Sequence, residues 1–162
     1  MSHNYEKTSV PLYRAIFLAN YTSDVRCYLA PDRDLADAKE IAPILHPQLL
    51  PSLTPRGDQR PADIQRNAST GMYHPDTGGT SVFDRAKALR RADGDFHIPA
   101  GTDIPPDLKV SKDAYNDRLK ATHYTIMPAK PMFKDALLGS LDNFVRNAIR
   151  RQYEAARGIG ET

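Results

Sequence analysis

The spacing of apolar residues changes along this chain, and the change separates predicted strands from predicted helices. In residues 9–18, Val10, Leu12 and Ile16 recur at even intervals, as in a strand with one buried face. Short apolar runs at residues 96–98, 108–110 and 122–127 predict three further strands. The pattern therefore predicts a small β core, and only residues 113–120 are ambiguous.

Two predicted helices begin at residues with capping chemistry. Asp32 is placed to cap a short helix that continues to Ala42 and is ended by a proline. Ser81 and Asp84 have the S-x-x-D spacing of a capping box, which predicts a second helix over residues 82–92. An Asp-Gly turn follows and ends it.

The last predicted helix has the clearest pattern. Pro131 suits its first position and Gly158 its C-terminal stop. Its apolar residues recur every three or four positions and form one face: Phe133, Leu137, Leu141, Phe144, Val145, Ala148 and Ile149. Its C-terminal half carries Arg146, Arg150, Arg151 and Arg157, which the helix dipole favours there. A nucleic acid or a partner protein covering this end is the alternative interpretation.

Residues 43–70 form a predicted proline-rich loop. Five of the thirteen prolines of the chain lie in it. Long loops in compact domains are often functional or disordered, so this one is a candidate cover for a site. No repeat or linker divides the chain, and we predict a single α+β domain over residues 1–162, with a small β core flanked by helices.

The charge, the cysteine count and the absence of several known motifs argue against some classes of function. The net charge of +2 is too small to require a polyanionic partner, and a single cysteine, Cys27, excludes an internal disulfide. The polar start of the chain does not resemble a signal peptide, so we expect synthesis in the cytoplasm and no membrane anchor. The five histidines lack zinc-site spacing, and neither a P-loop nor a G-x-G-x-x-G motif is present, so we expect no metal.

The loop over residues 77–84 holds the most suggestive chemistry. Gly78 and Gly79 let the backbone approach a ligand, and a helix starting at Ser81 would offer free N–H groups to an anion. Such a loop suits a pyrophosphate or a ribose. The alternative is a helix start that holds no ligand, since most capping boxes hold none.

Six segments, in collinear order, resemble one protein family. They are LYRA at 12–15, PDTGGTSVFDRA at 75–86, LRRADGDF at 89–96, GTDIPPDLKV at 101–110, ATHYTIMPAKPM at 121–132 and LDNFVRNAIRRQ at 141–152. The chain resembles the Tse-two family of type VI secretion effectors, toxins that one bacterium injects into another. The resemblance covers nearly the whole chain and is weakest at about residues 47–67.

The resemblance implies a fold, a cosubstrate and partners. It implies an ADP-ribosyltransferase-like fold and a toxicity that requires NAD. It also implies a small immunity protein, expected to be acidic, and the secretion tube protein during export. The toxin would be made in the cytoplasm of the producer and act in that of the recipient, and a nucleic-acid partner is not expected.

Four side chains are candidates for gripping NAD. Arg14 follows an aromatic residue on the first strand, as in many ADP-ribosyltransferases, and its guanidinium fork matches phosphate oxygens. Tyr13 and Tyr124 could stack on nicotinamide or adenine, although packing explains each equally well. Arg60 would reach the site from the proline-rich loop. A solvent-facing arginine is the alternative for Arg14.

The catalytic candidates come from two of the matched segments. Thr80 and Ser81 would bind ribose hydroxyls or nicotinamide, beside the Gly78 and Gly79 backbone. His123 could orient a hydroxyl or accept a proton, or could be a core histidine bonded to the backbone.

One family feature is missing. Many ADP-ribosyltransferases stabilise the ribosyl cation with a glutamate, and the late strand around His123 carries none. NAD binding is therefore better supported than transfer to a target, and hydrolysis of NAD or an altered phosphotransferase-like chemistry remains open. The alternative from another class is a non-enzymatic toxin that binds a nucleic acid or an essential host protein.

Overall fold

A computed structural model describes residues 6–156 and shows nine strands and one α-helix. The strands are β1 (Leu12–Ile16), β2 (Ser52–Leu53), β3 (Gln59–Arg60), β4 (Ile64–Arg66), β5 (Tyr73–Gly78), β6 (Thr80–Phe83), β7 (Gly94–Ile98), β8 (Leu108–Asn116) and β9 (Ala121–Pro128). The helix is α1 (Lys134–Ala156), and 3₁₀ helices cover Leu18–Asn20, Arg26–Leu29 and Arg33–Asp37. The α+β class predicted from the sequence is confirmed. No helix in residues 6–156 has the length and hydrophobicity needed to cross a bilayer.

Five strands form one antiparallel sheet in the order β7-β1-β6-β9-β8. One face, the inner face, packs against the apolar side of α1 in a single buried cluster that includes Ile16, Val82 and Phe144. Residues that lie opposite each other on paired strands share a face. Thr80, opposite Ile126, and Val82, opposite Tyr124, therefore point inward, and the residues between them point to the outer face.

β1 and β6, neighbouring strands in the middle of the sheet, are paired over only a short length and then diverge. β1 and β6 are paired only at Tyr13 and Phe83, whereas β1 pairs with β7 along its whole length. The next inward-facing residue on β1 is Arg14, so its side chain emerges where the two strands part.

The predicted helix over residues 82–92 is wrong. Residues 80–83 form β6, and Ser81 lies in the middle of a strand, where it caps nothing. Asp84 does not close a capping box, because its carboxylate accepts the Thr122 N–H of β9 at 2.8 Å. Pairing with β9 overrides the local helix signal, and the anion site expected at a helix N-terminus does not exist.

Other boundaries also differ from the prediction. The helix expected from Asp32 to Ala42 is a 3₁₀ helix over Arg33–Asp37, and Asp32 makes no capping hydrogen bond. The proline-rich stretch contains β2, β3 and β4. α1 begins at Lys134, not at Pro131, because Met132 is still held in a backbone bridge with Tyr73.

The apolar face of α1 is otherwise as predicted. Leu137, Leu141, Phe144, Val145, Ala148 and Ile149 are all buried. The prediction that Phe133 belongs to that face is wrong, because Phe133 precedes the helix and is 59% exposed. The proposed stop at Gly158 lies outside the described residues.

Candidate active site

A cleft of about 610 Å³ lies beside the opening between β1 and β6. We call it the Arg14 cleft. It lies between the end of β1 and the proline-rich segment, and its lining residues are Arg14, Asn20, Tyr21, Pro43, His46, Pro47, Gln48, Ser52, Leu53, Thr54, Pro55, Arg60 and Asp63. Two guanidinium groups, one carboxylate and one imidazole thus share a single concavity.

Arg14 is held at the back of the cleft by backbone carbonyls. Its Nε donates to the carbonyl of Ile44 at 3.3 Å, and its Nη1 donates to the carbonyl of Ser81 at 3.0 Å. Nη2 has no hydrogen-bond partner among the described residues. Burial lowers the pKa of Arg14, and nearby Tyr21 and Asp63 act in the opposite direction. A desolvated, incompletely paired guanidinium is stabilised by an anionic ligand.

Asp63 organises the wall that faces Arg14. Its carboxylate accepts the Gln48 N–H at 2.6 Å and lies 3.5 Å from the Arg60 guanidinium. Its backbone N–H donates to the carbonyl of Gln48 at 2.7 Å, and its carbonyl accepts the Gly79 N–H at 3.0 Å. These bonds tie the proline-rich segment to the start of β6.

His46 connects the cleft to α1. Its Nε2 lies 2.7 Å from Oδ1 of Asp142 on the helix. Its backbone N–H donates to the carbonyl of Pro43 at 3.4 Å, so the loop holds the backbone of His46 and the helix holds its ring.

The structure brings Arg14 and Arg60 together in the cleft, whereas Thr80 is not one of its lining residues. Thr80 is buried, and its hydroxyl donates a short hydrogen bond to the carbonyl of Leu45. That bond fastens the loop before His46 to the sheet. The Thr80 hydroxyl is therefore already engaged in the fold.

Gly78 and Gly79 permit close contact between strands. A Cβ on Gly78 would lie 2.1 Å from the carbonyl oxygen of Asp63, and a Cβ on Gly79 would lie 2.1 Å from that of Ile126. Gly78 also has a φ of +115°, which favours glycine. Close packing against neighbouring backbone therefore requires glycine at both positions, and these contacts lie within the protein.

The other candidates lie on different parts of the sheet. Tyr124 is buried in the core on the inner face. Tyr13, Ser81 and His123 are on the outer face, away from Arg14. There, Nδ1 of His123 lies 2.7 Å from Oδ2 of Asp113, and this oxygen also accepts the Thr125 hydroxyl at 2.6 Å. The catalytic and binding candidates are thus divided between two faces.

Tyr13 is already stacked on a protein ring. Its ring and that of His97 are parallel within 7°, with centroids 4.8 Å apart. Nε2 of His97 is buried and has no hydrogen-bond partner in the described part of the chain, and burial lowers the pKa of His97.

Protonation of His97 is expected to weaken the fold in acid. Because its pKa is lower in the folded protein, the unfolded chain binds the proton more readily, so stability falls as pH drops below about 6.5, the ordinary histidine value. His97→Phe keeps the stack and removes the titration. Melting temperatures measured from pH 7.5 to 5 should fall less steeply for this variant, and equal slopes would contradict the expectation.

Sequence reasoning missed four cleft residues: Tyr21, His46, Gln48 and Asp63. His46 and Asp142 are 96 positions apart, and no spacing rule connects them. The available signal was the concentration of polar residues within the proline-rich stretch. Within residues 6–156, no three histidine, cysteine or acidic side chains are grouped as a metal site would require.

Comparison with known proteins identifies the family. The family model described as Tse2 ADP-ribosyltransferase toxin matches residues 12–153. A curated relative, Toxin Tse2 of Pseudomonas aeruginosa, is 65% identical over 159 residues, which cover 98% of this chain and 100% of the relative. The resemblance drawn from the six segments is confirmed. The chain belongs to the Tse2 ADP-ribosyltransferase toxin family, and its chemistry is that of a toxin that uses NAD as a cosubstrate.

Proposed function

We propose that the Arg14 cleft binds NAD and that the bond between nicotinamide and ribose is broken there. The observation that carries this proposal is the presence of Arg14 and Arg60 in one cleft of about 610 Å³. The Arg14 guanidinium would hold the pyrophosphate with the donor that the protein leaves unused, and Arg60 would approach from the opposite wall. The two hydrogen bonds that Arg14 donates to backbone carbonyls keep it in position before the ligand arrives.

The chemistry requires charge stabilisation on both sides of the breaking bond. Departure of nicotinamide leaves an oxocarbenium-like ribose, which a carboxylate stabilises. Asp63 is the acidic residue that lines the cleft, and we assign it this role in place of the missing family glutamate. Transfer of ADP-ribose to a target and hydrolysis by water both fit this arrangement.

A direct assay tests the proposal. The purified chain should bind NAD in calorimetry and release nicotinamide, either alone or after a bacterial extract supplies an acceptor. If it neither binds NAD nor releases nicotinamide in either condition, the proposal is contradicted and the non-enzymatic alternative is favoured.

We also propose that an acidic immunity protein neutralises the toxin by covering this cleft before export through the type VI secretion tube. The arginines of the cleft supply the complementary charge. Leu53, which lines the cleft, and Leu50, three residues before it in the chain, are each 74% exposed and could pack against a partner. Complex formation should weaken as salt rises and should block NAD binding. A complex that binds NAD as tightly as the free toxin would contradict occlusion.

A further inference from the structure

Two His–Asp pairs of equal length lie on opposite sides of the sheet. His46 and Asp142 approach to 2.7 Å at the Arg14 cleft, and His123 and Asp113 approach to 2.7 Å on the outer face. We propose that His46 is the acid–base residue of the Arg14 cleft and that Asp142 positions it. This inference rests on the proposed binding of NAD in that cleft.

The bond to Asp142 determines which ring nitrogen is available. An ionised carboxylate only accepts hydrogen bonds, so Nε2 of His46 carries the proton that it donates, and the neutral ring keeps its lone pair on Nδ1. Nδ1 has no hydrogen-bond partner among the described residues. Within residues 6–156, the only buried side-chain nitrogen or oxygen without a hydrogen-bond partner is Nε2 of His97, so Nδ1 of His46 is not buried. Nδ1 is therefore reached by solvent at a residue that lines the cleft.

Three supports hold this nitrogen in place. Asp142 projects from the third turn of the 23-residue helix α1. The loop that carries His46 is fastened to β6 by the hydroxyl of Thr80 through the carbonyl of Leu45. Arg14 holds the same loop through the carbonyl of Ile44. A general base needs such positioning, because proton transfer requires hydrogen-bond distance to the attacking group.

The proposed reaction needs only NAD and either water or a nucleophile of the target. The bond between nicotinamide and ribose breaks, and its electron pair stays with the nicotinamide nitrogen. Water, or a nucleophile of the target, forms the new bond to the ribose carbon, and its proton passes to Nδ1 of His46. The imidazolium is stabilised by Asp142 and later releases the proton to solvent. With water the products are ADP-ribose, nicotinamide and a proton.

The geometry favours His46 over His123. The His123 ring lies on the outer face, edge-to-face with Phe83 at 5.3 Å, and the cleft is lined from the inner side of the sheet. Asp63, the other ionisable candidate of the cleft, is engaged by the Gln48 N–H and Arg60 and suits charge stabilisation better than proton transfer.

The test compares variants of the two pairs in the full chain. His46→Gln should lower kcat for nicotinamide release by about 100- to 10,000-fold, the usual range for a lost general base. Its Kd for NAD should change less than about threefold, since this residue acts on the chemical step. Asp142→Asn should lower kcat and alter the pH–rate profile, and Asp142→Glu should restore part of the loss. His74→Gln is the matched control, because His74 bonds the Thr70 hydroxyl at 3.0 Å and does not line the cleft.

Each result separates this inference from the proposed function. Undiminished kcat in folded His46→Gln would overturn the inference, as would a loss confined to His123→Gln. Failure of the wild-type chain to bind NAD and to release nicotinamide would contradict the proposed function itself. If the wild-type chain releases nicotinamide and His46→Gln does so at the same rate, the role of His46 is contradicted and the proposed function is not.

Discussion

Arg14→Met should reduce both NAD affinity and stability. Losing a charged hydrogen bond to the pyrophosphate should weaken NAD binding by about 1.5–3 kcal/mol, which is about 10- to 150-fold in Kd. The carbonyls of Ile44 and Ser81 lose their donor at the same time, and this should lower the free energy of unfolding by about 1–3 kcal/mol. Methionine keeps much of the side-chain volume, so cavity formation contributes little. Calorimetry and urea denaturation measure the two effects.

Arg60→Met is the matched control for this variant. Arg60 lines the same cleft, but its side chain is 57% exposed and contacts Asp63 only at 3.5 Å. It should lose NAD affinity without measurable loss of stability, because exposed ion pairs contribute little. A folded Arg14→Met protein with wild-type affinity would exclude Arg14 as the NAD ligand.

Gly79→Ala should be strongly destabilising. The new Cβ would lie 2.1 Å from the carbonyl oxygen of Ile126 and 3.0 Å from its carbonyl carbon. The Thr125 methyl is also 3.0 Å away, but moving it would not relieve the clash with the backbone. Relief requires separating β6 from β9, the pair that carries Thr80 and supports the cleft. We expect a loss of about 4 kcal/mol or more, a large share of the stability of a small domain, with a melting temperature lower by about 8–16 °C.

Gly139→Ala provides the opposite expectation in the same chain. Gly139 lies within α1, and a Cβ there meets nothing within 4 Å. Alanine should stabilise the helix by about 0.5–1 kcal/mol, since glycine is costly in a helix interior. Comparing the thermal unfolding of the two variants distinguishes the clash with the Ile126 carbonyl from any general effect of Gly→Ala changes. If Gly79→Ala melts like wild type, the close approach of β6 to Ile126 is contradicted.

Repeating local patterns were predicted correctly from the sequence. The apolar face of α1 recurs over many turns, and each residue adds to the same signal, so Leu137 to Ile149 were identified as core. The predicted strands at 96–98, 108–110 and 122–127 each lie within an observed strand. The six matched segments indicated the family, because long collinear blocks are specific in a way that short motifs are not.

The short motif around Ser81 led to a wrong element. S-x-x-D spacing is a local signal for a helix start, and Val82 and Phe83 fit either a helix or a strand. Hydrogen bonds to β9 and burial of Val82 stabilise the strand rather than a helix. Those partners lie about 40 positions away, so no window around Ser81 could contain the deciding interaction.

By itself, the sequence determined the α+β class, the core face of the long helix and the family, and it singled out Arg14 as a candidate ligand for NAD. The tertiary structure decided which side chains meet. It placed Arg14, His46, Arg60 and Asp63 in one cleft, and it put His123 and Ser81 on the other face of the sheet. The physical reason is that alternation along a strand separates adjacent residues such as Arg14 and Tyr13, whereas chain folding brings His46 to Asp142 across 96 positions.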